Sequence, residues 1–482
     1  MSFYTYILLL LLFLKTENRL VFVMTLFRHG ARAPTHLYNK TKYDYILNEW
    51  DNPGELTGIG QRMHFLLGWR NRIKYINEEK FLSEKFDPHE ILIYSTCINR
   101  TILSAASQLQ GLYPQSIKKG ETLTKEQIEL AKPPVNISID IIKNELSNMD
   151  NYALPNSMIL APIRMINLNE KRMRLYDIDG CKNEINKIKK DNEGKHGTLK
   201  KIKEEFKEKY GENAKNLYGE ELKYNLDFLS DFCDAFISGD TELKPMDKLL
   251  NAGFNLTELR DYCQRFKELK FRDWILGDEE SSEAHLEVSK VMNETLHYLR
   301  QRLEIDKNNI NYESKKDDFS KPKMVMYSAH DTTIACFEVF LKKALNKDDS
   351  FFKYPQFATQ ISFELVTNKN KEETKKDEDY TLNFYYDDEL KVSMTMNEFI
   401  EKITKKIWTE IQVNKFCNFN DSETKKLNKD DDKKNSYKLY IIIFGSLTAL
   451  LLILNIIMSV KLIKGGNKES KTFDSLMPAN EE

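Results

Sequence analysis

Apolar positions follow three different rhythms along this chain. Short, mostly apolar runs occupy residues 20–27, 91–94 and 323–328, with further stretches rich in apolar residues at 360–365 and 380–386. β-Branched and aromatic residues dominate these runs, and their length predicts strands, the first of them buried. Helical spacing alternates with them. Thr57 precedes Ile59, Met63, Leu66 and Leu67, and further helix patterns lead up to Leu112, halted by Pro114, and run over residues 332–345. This alternation predicts an α/β fold, a Rossmann-like mixed sheet with flanking helices, built from residues 19–119 and 321–415.

The second rhythm fills residues 120–320, where Lys, Glu and Asn dominate. Helical periodicity recurs at 199–218, 222–236, 256–269 and 284–303, while strand signals are sparse. The expectation is a mostly helical cap inserted into the α/β domain. The charge runs at 187–201 and 306–321 read as solvated helix faces and loops. Residues 367–379 are too charged to be anything but a surface loop.

The third rhythm belongs to the two ends. Residues 7–14 are apolar and stop before Lys15-Thr16-Glu17-Asn18, too short a run to span a bilayer but suited to the core of a signal peptide over residues 1–18. A basic leader and an A-x-A cleavage site are both missing, so a buried N-terminal helix is the alternative. Residues 439–460 are apolar apart from Ser446, Thr448, Asn455 and Ser459, long enough for a transmembrane helix. Lysines flank that segment on both sides, so charge does not orient it; the signal peptide does, with the ectodomain outside and residues 461–482 as a cytosolic tail. Residues 416–438 form a charged stalk.

Over 482 residues, 41% hydrophobic and 30% charged content describe a globular protein. The formal net charge of -2 gives no reason to expect nucleic acid as a partner, so any anion site must be local. The six cysteines (Cys97, Cys181, Cys233, Cys263, Cys336, Cys417) lack C-x-x-C spacing and fit disulfides better than a metal site in a lumenal protein, with Cys336 read as a buried thiol. Acceptor triplets for N-glycosylation at Asn39, Asn99, Asn136, Asn255, Asn293 and Asn420 agree with a secretory route. No internal repeat and no glycine-rich phosphate loop is present.

Chemistry concentrates where three predicted strands end. The first end reads Arg28-His29-Gly30-Ala31-Arg32-Ala33-Pro34, the second places Arg100 just inside a helix start, and the third reads Ser328-Ala329-His330-Asp331. In an open α/β sheet, ligands bind beyond the carboxyl ends of strands, where helix N-termini point donors outward. Cations crowded so closely repel one another unless an anion sits among them. Arginine's planar fork suits a phosphoryl group, and histidine can attack one. Neighbouring guanidiniums would keep His29 neutral and nucleophilic in acid. Arg28, Arg32, Arg100 and His330 would hold phosphate, and Gly30 would let the backbone turn close to it. Asp331 would protonate the leaving alkoxide and later activate water. No metal or cofactor is needed. Each piece has a bland reading: a surface salt-bridge cluster, a structural arginine, a helix cap. Only the conjunction of three charged strand ends argues for a site. His36 and His64 are candidates to border it, His89, His196, His285 and His297 read as surface or packing residues, and Cys97 reads as a buried or paired sulfur.

Residues 28–34 match the RHGxRxP signature of the histidine acid phosphatases, and Ala329-His330-Asp331 resembles their distal His-Asp motif. Ser95-Thr96, Arg100-Thr101 and Ser104-Ala105 are similar to the family's third-arginine region, and Glu55-Leu56-Thr57-Gly58-Ile59-Gly60-Gln61 and Leu67-Gly68 also resemble that family. The resemblance covers most of residues 20–400, specific in the motifs and vague in the insertion. It implies an α/β domain with a helical cap that hydrolyses small phosphomonoesters through a phosphohistidine on His29, with Asp331 as proton donor and Arg28, Arg32, Arg100 and His330 as phosphate ligands. With the anchor, it resembles a lysosomal or membrane-bound acid phosphatase; a homodimer is left open. Two other readings compete: a receptor or adhesion ectodomain that keeps the fold without turnover, and a narrower phytase or lysophospholipid phosphatase. A phosphomutase fits a secreted, anchored chain poorly.

Overall fold

The computed structural model describes residues 18–35, 50, 52–114, 122–131, 151–154, 159–166, 184–187, 197–219, 224–276, 282–310, 321–348, 351, 353–370, 373 and 375–417. The proposed signal peptide, stalk, membrane span and tail lie outside these residues, apart from the last residue of the first and the first two of the second. Among the described residues no helix is long and apolar enough to cross a membrane.

The apolar runs form the sheet. Seven strands, β1 (Arg19–Arg28), β2 (Ile91–Thr96), β3 (Arg164–Ile166), β4 (Met324–Ala329), β5 (Gln360–Thr367), β6 (Tyr380–Tyr386) and β7 (Glu389–Thr395), lie in the order β3-β2-β4-β1-β5-β6-β7. The first four in that order run parallel, and β5 to β7 continue antiparallel. Nearly every residue of β1, β2 and β4 is buried because helices cover both faces.

Helices α1 (Gly58–Arg72) and α2 (Asn99–Leu112) cover one face. There Val23 and Phe27 of β1 meet Tyr75, Ile76, Ala105, Leu109 and Leu112. The buried side of α1 is not the predicted apolar stripe: Ile59 and Leu66 are exposed, while Gly60, His64 and Gly68 face inward. The cause is close approach. A Cβ on Gly68 would collide with the Gln108 carbonyl, and one on Gly111 with that of Phe65, so glycine lets the two helices touch backbone to backbone.

The sequence also points to helices α3 (Gly197–Tyr218), α4 (Leu226–Thr241), α5 (Leu256–Leu276) and α6 (Ser282–Lys307), and these form. The first three share their own aromatic core, in which Phe206 packs against Tyr210, Phe232 and Tyr262. Helix α6 behaves differently. Its Val291, Leu296 and Leu299 join α7 (Asp331–Ala344) on the second face of the sheet, beside Phe22, Met24 and Leu26. A helix that composition groups with the insertion thus belongs to the sheet's own core, and half-exposed strand β3 joins the sheet at its edge. A disulfide joins Cys233 of α4 to Cys263 of α5; Cys97 is a half-buried thiol, and Cys336 is buried.

Candidate active site

Strand register brings the charged ends together. Phe27 of β1 pairs with Ser328 of β4, which pairs in turn with Ser95 of β2, so the three parallel strands finish level with one another. Arg28 and His29 leave β1, Arg100 opens α2, and His330 caps α7 with Asp331 as its first residue. All six residues singled out in the sequence converge at this sheet edge.

The His29 peptide N–H donates to the Ala329 carbonyl (3.1 Å), and the His29 carbonyl accepts from Ala358 (3.2 Å). Its ring is 2% exposed, and Nδ1 lies 2.9 Å from the Gly30 carbonyl oxygen. A carbonyl can only accept, so Nδ1 carries the proton and Nε2 keeps the lone pair. Burial, then Arg28, Arg32, His330 and Arg100, hold its pKa well below the ordinary 6.5. Gly30 serves differently from expectation. Its φ is not positive, and a Cβ there would strike the backbone of Gly60, so glycine admits α1 rather than turning the chain toward a ligand. The Gly30 N–H donates to Ser104 Oγ at 3.1 Å.

Arg28 is 2% exposed and reaches under the site. Its Nη1 donates to the Pro355 carbonyl (2.8 Å), its Nη2 stands 2.9 Å from Asp331 Oδ2, and its guanidinium lies 4.2 Å from the centre of the Phe357 ring. Arg100 donates weakly to the Gly54 carbonyl (3.5 Å); burial first, and then Arg32, bring its pKa down to about 10. His330 Nε2 lies 3.1 Å from Thr96 Oγ1, its ring centre 5.7 Å from that of His29, and burial and Arg100 pull its pKa to about 3. Burial alone would raise the Asp331 carboxyl, but Arg28, Arg32, Lys267 and His330 outweigh it, and its pKa falls below the ordinary 3.8.

Arg32 is held from the helical side. Both Nη atoms donate to Asp234 on α4 at 3.0 Å, a bidentate pair. Lys267 of α5 reaches the same carboxylate at 3.2 Å, and the Thr35 N–H donates to it at 3.1 Å. Burial opposes the charge on Asp234, but Arg32 and Lys267 overcome this and hold its pKa well below 3.8. The buried Nε atoms of Arg28, Arg32 and Arg100 have no hydrogen-bond acceptor among the described residues. Three guanidinium N–H groups with nothing to donate to, beside a neutral imidazole, suit an anion that several donors grip at once.

Asp234, Lys267 and Phe357 went unnoticed in the sequence. A lone Asp in Phe232-Cys233-Asp234-Ala235 carries no local signal, and Phe357 sits in a short loop. Of the histidines proposed to border the site, His64 is buried beneath it against Phe27 and Gln108, with burial lowering its pKa to about 4, and His36 lies outside the described residues. His285 is buried and stacked on Trp408, His89 pairs with Asp87, and the Cys97 thiol donates to the Ile166 carbonyl.

A lysosomal acid phosphatase from Xenopus laevis is 37% identical over 102 residues, 21% of this chain and 22% of that protein. Putative acid phosphatase 11 from Caenorhabditis elegans is 39% identical over 107 residues, 21% of this chain and 25% of that protein. The chain thus spans about a quarter or less of the length of these curated relatives. A phytase from Hafnia alvei, solved with myo-inositol hexakis sulphate, shares the fold at a TM-score of 0.51 and 12% identity, covering 82% of this chain and 98% of that one. The family profile for the histidine phosphatase superfamily (branch 2) matches residues 19–387, and the chain belongs to that superfamily.

Proposed function

We propose that the chain is an acid phosphatase that hydrolyses phosphomonoesters through a phosphohistidine on His29. The observation that carries this reading is the set of three unpartnered guanidinium Nε groups around an imidazole whose Nδ1 is committed to Gly30. His29 Nε2 attacks phosphorus, and the bond from phosphorus to the ester oxygen breaks. Asp331 gives its proton to the departing alkoxide. Water then attacks the phosphohistidine, its proton passes to the Asp331 carboxylate, the P–N bond breaks and inorganic phosphate leaves. Arg28, Arg32, Arg100 and His330 hold the non-bridging oxygens and offset the charge that grows on them.

Acidity fits both ends of this cycle. In the free site Asp331 is depressed by Arg28, Arg32, Lys267 and His330. A bound phosphate dianion offsets those cations and raises the carboxyl again, so the proton needed by the leaving group is present in acid and lost as pH rises. His29, held well below 6.5, stays a free base there. The division into a sheet domain and a helical cap, the signal peptide and the membrane span complete the proposal: a catalytic domain in the lumen of a lysosome-like compartment or at the cell surface.

The test is hydrolysis of p-nitrophenyl phosphate across pH by the unmutated protein and by His29→Ala. The variant should lose about 10⁴-fold or more in kcat, as expected for removal of a nucleophile. Absence of activity in the unmutated protein at every pH would leave the alternative, a phosphatase-like ectodomain without turnover.

A further inference from the structure

Asn99-Arg100-Thr101 is an N-glycosylation acceptor triplet whose middle residue is one of the three arginines facing the phosphate position. Its three residues have three different fates in the fold. Asn99 is exposed at the start of α2, with Nδ2 donating to Glu55 Oε1 at 3.1 Å. Arg100 turns inward to the carbonyl of Gly54. Thr101 is 0% exposed, its Oγ1 donating to the carbonyl of Ile98 (2.8 Å) and lying 2.7 Å from Thr96 Oγ1, the same hydroxyl that meets His330 Nε2 at 3.1 Å.

The turn at Gly54-Glu55 is a wall one residue thick. On its inner side Gly54 N–H donates to the Pro34 carbonyl (2.9 Å), the Glu55 carbonyl accepts from Ala33 (3.0 Å), and Arg100 lies behind it; on its outer side stands Asn99. A sugar on Nδ2 replaces one of its two hydrogens and leaves the other for Glu55.

We propose that Asn99 carries an N-linked glycan at the rim of the phosphate site, and that this glycan confines the site to small phosphomonoesters. The transferase must read the hydroxyl two residues beyond the asparagine. That hydroxyl is buried in the hydrogen-bond chain to His330, so attachment precedes the packing of β2 against α2. Folding then turns one triplet to two uses: its asparagine carries a steric screen, and its threonine orients a phosphate ligand. The substrate half of this inference rests on the phosphatase reading, while occupancy of Asn99 stands apart from it.

The experiment is to express the full chain through the secretory pathway of a eukaryotic host, extract it from the membranes and map its glycopeptides by mass spectrometry. The hydrolysis rates of phosphorylated casein and of p-nitrophenyl phosphate are then compared before and after enzymatic removal of glycans from the native protein. Asn99→Gln gives the same comparison genetically, and Asn255→Gln, which removes an acceptor on the helical side, serves as control. Occupied Asn99 and a casein-to-nitrophenyl rate ratio that rises about threefold or more on removal are expected, since a screen at the rim restricts the docking orientations open to a large partner. Unmodified Asn99 in the purified protein, or an unchanged ratio, overturns the inference. Lack of activity toward p-nitrophenyl phosphate throughout would instead defeat the phosphatase reading.

Discussion

The two sides of the candidate site are built on opposite logics. On the sheet side, Arg28, His29, His330 and Asp331 stand at the ends of adjacent parallel strands, fixed by backbone hydrogen bonds such as His29 N–H to Ala329. On the helical side, Arg32 is fixed by a single carboxylate from a helix some 200 positions away in sequence, Asp234, which Lys267 and Thr35 help to hold. Backbone register places His29, His330 and Asp331, and a side-chain ion cluster holds the Arg32 guanidinium. The first is rigid by construction. The second depends on how well α4 and α5 stay together.

Three measurements separate these contributions. The largest effect is expected on the sheet side, where Asp331→Asn should slow hydrolysis of alkyl phosphates by about 10²–10⁴-fold. In kcat/KM, which reports the phosphorylation step alone, it should slow p-nitrophenyl phosphate far less, because a good leaving group needs no proton; equal slowing of both would sink the general-acid role. An intermediate effect belongs to Asp234→Ala, which leaves Arg32 and Lys267 buried without their counter-ion. Thermal or urea denaturation should show a loss of about 3–5 kcal/mol, and kcat/KM at a temperature where the variant is folded should fall about 10- to 100-fold as Arg32 drifts. Unaltered kinetics would mean that Arg32 is positioned without the helices. The smallest effect is expected from replacing Cys233 and Cys263 together with alanine. The disulfide, with a sequence separation of 30, joins the two helices next to Asp234 and one turn from Lys267. Its loss should lower stability by about 2–4 kcal/mol while kcat changes little, because the aromatic core around Phe206 still packs the pair; a fall in kcat matching Asp234→Ala would make the disulfide part of the aiming device.

The same contrast explains what the sequence reveals. Strand runs and the residues that end them are contiguous, so β1, β2 and β4 and the convergence of all six candidate residues are legible from residues 28–34, 100 and 328–331. Asp234 is not, because nothing local distinguishes a buried carboxylate from the many solvated ones around it. The inward face of α1 misleads for a related reason. Its contact is made by absent side chains, Gly60 and Gly68, and apolar periodicity registers only side chains that exist. Helix α6 has the composition of the insertion and the packing of the sheet core, a distinction that only long-range contacts make. Strand β3 is three residues long and β7 largely exposed, so neither carries an apolar run.

His29, His64 and His330 are all buried as neutral imidazoles, with pKa values below the ordinary 6.5. A group that binds its proton less readily when folded contributes stability above its unfolded pKa and surrenders it as pH falls toward the folded one. For His64 alone, held to about 4, acidification from 6.5 withdraws about 3 kcal/mol. On the phosphatase reading proposed above, the acidity that suits the chemistry therefore erodes the fold that performs it. An anion seated among the three arginines would restore the balance by mass action, since it would bind the folded chain and not the unfolded one. Substrate and product phosphate would then act as structural ligands in acid, and the protein would be most fragile when idle.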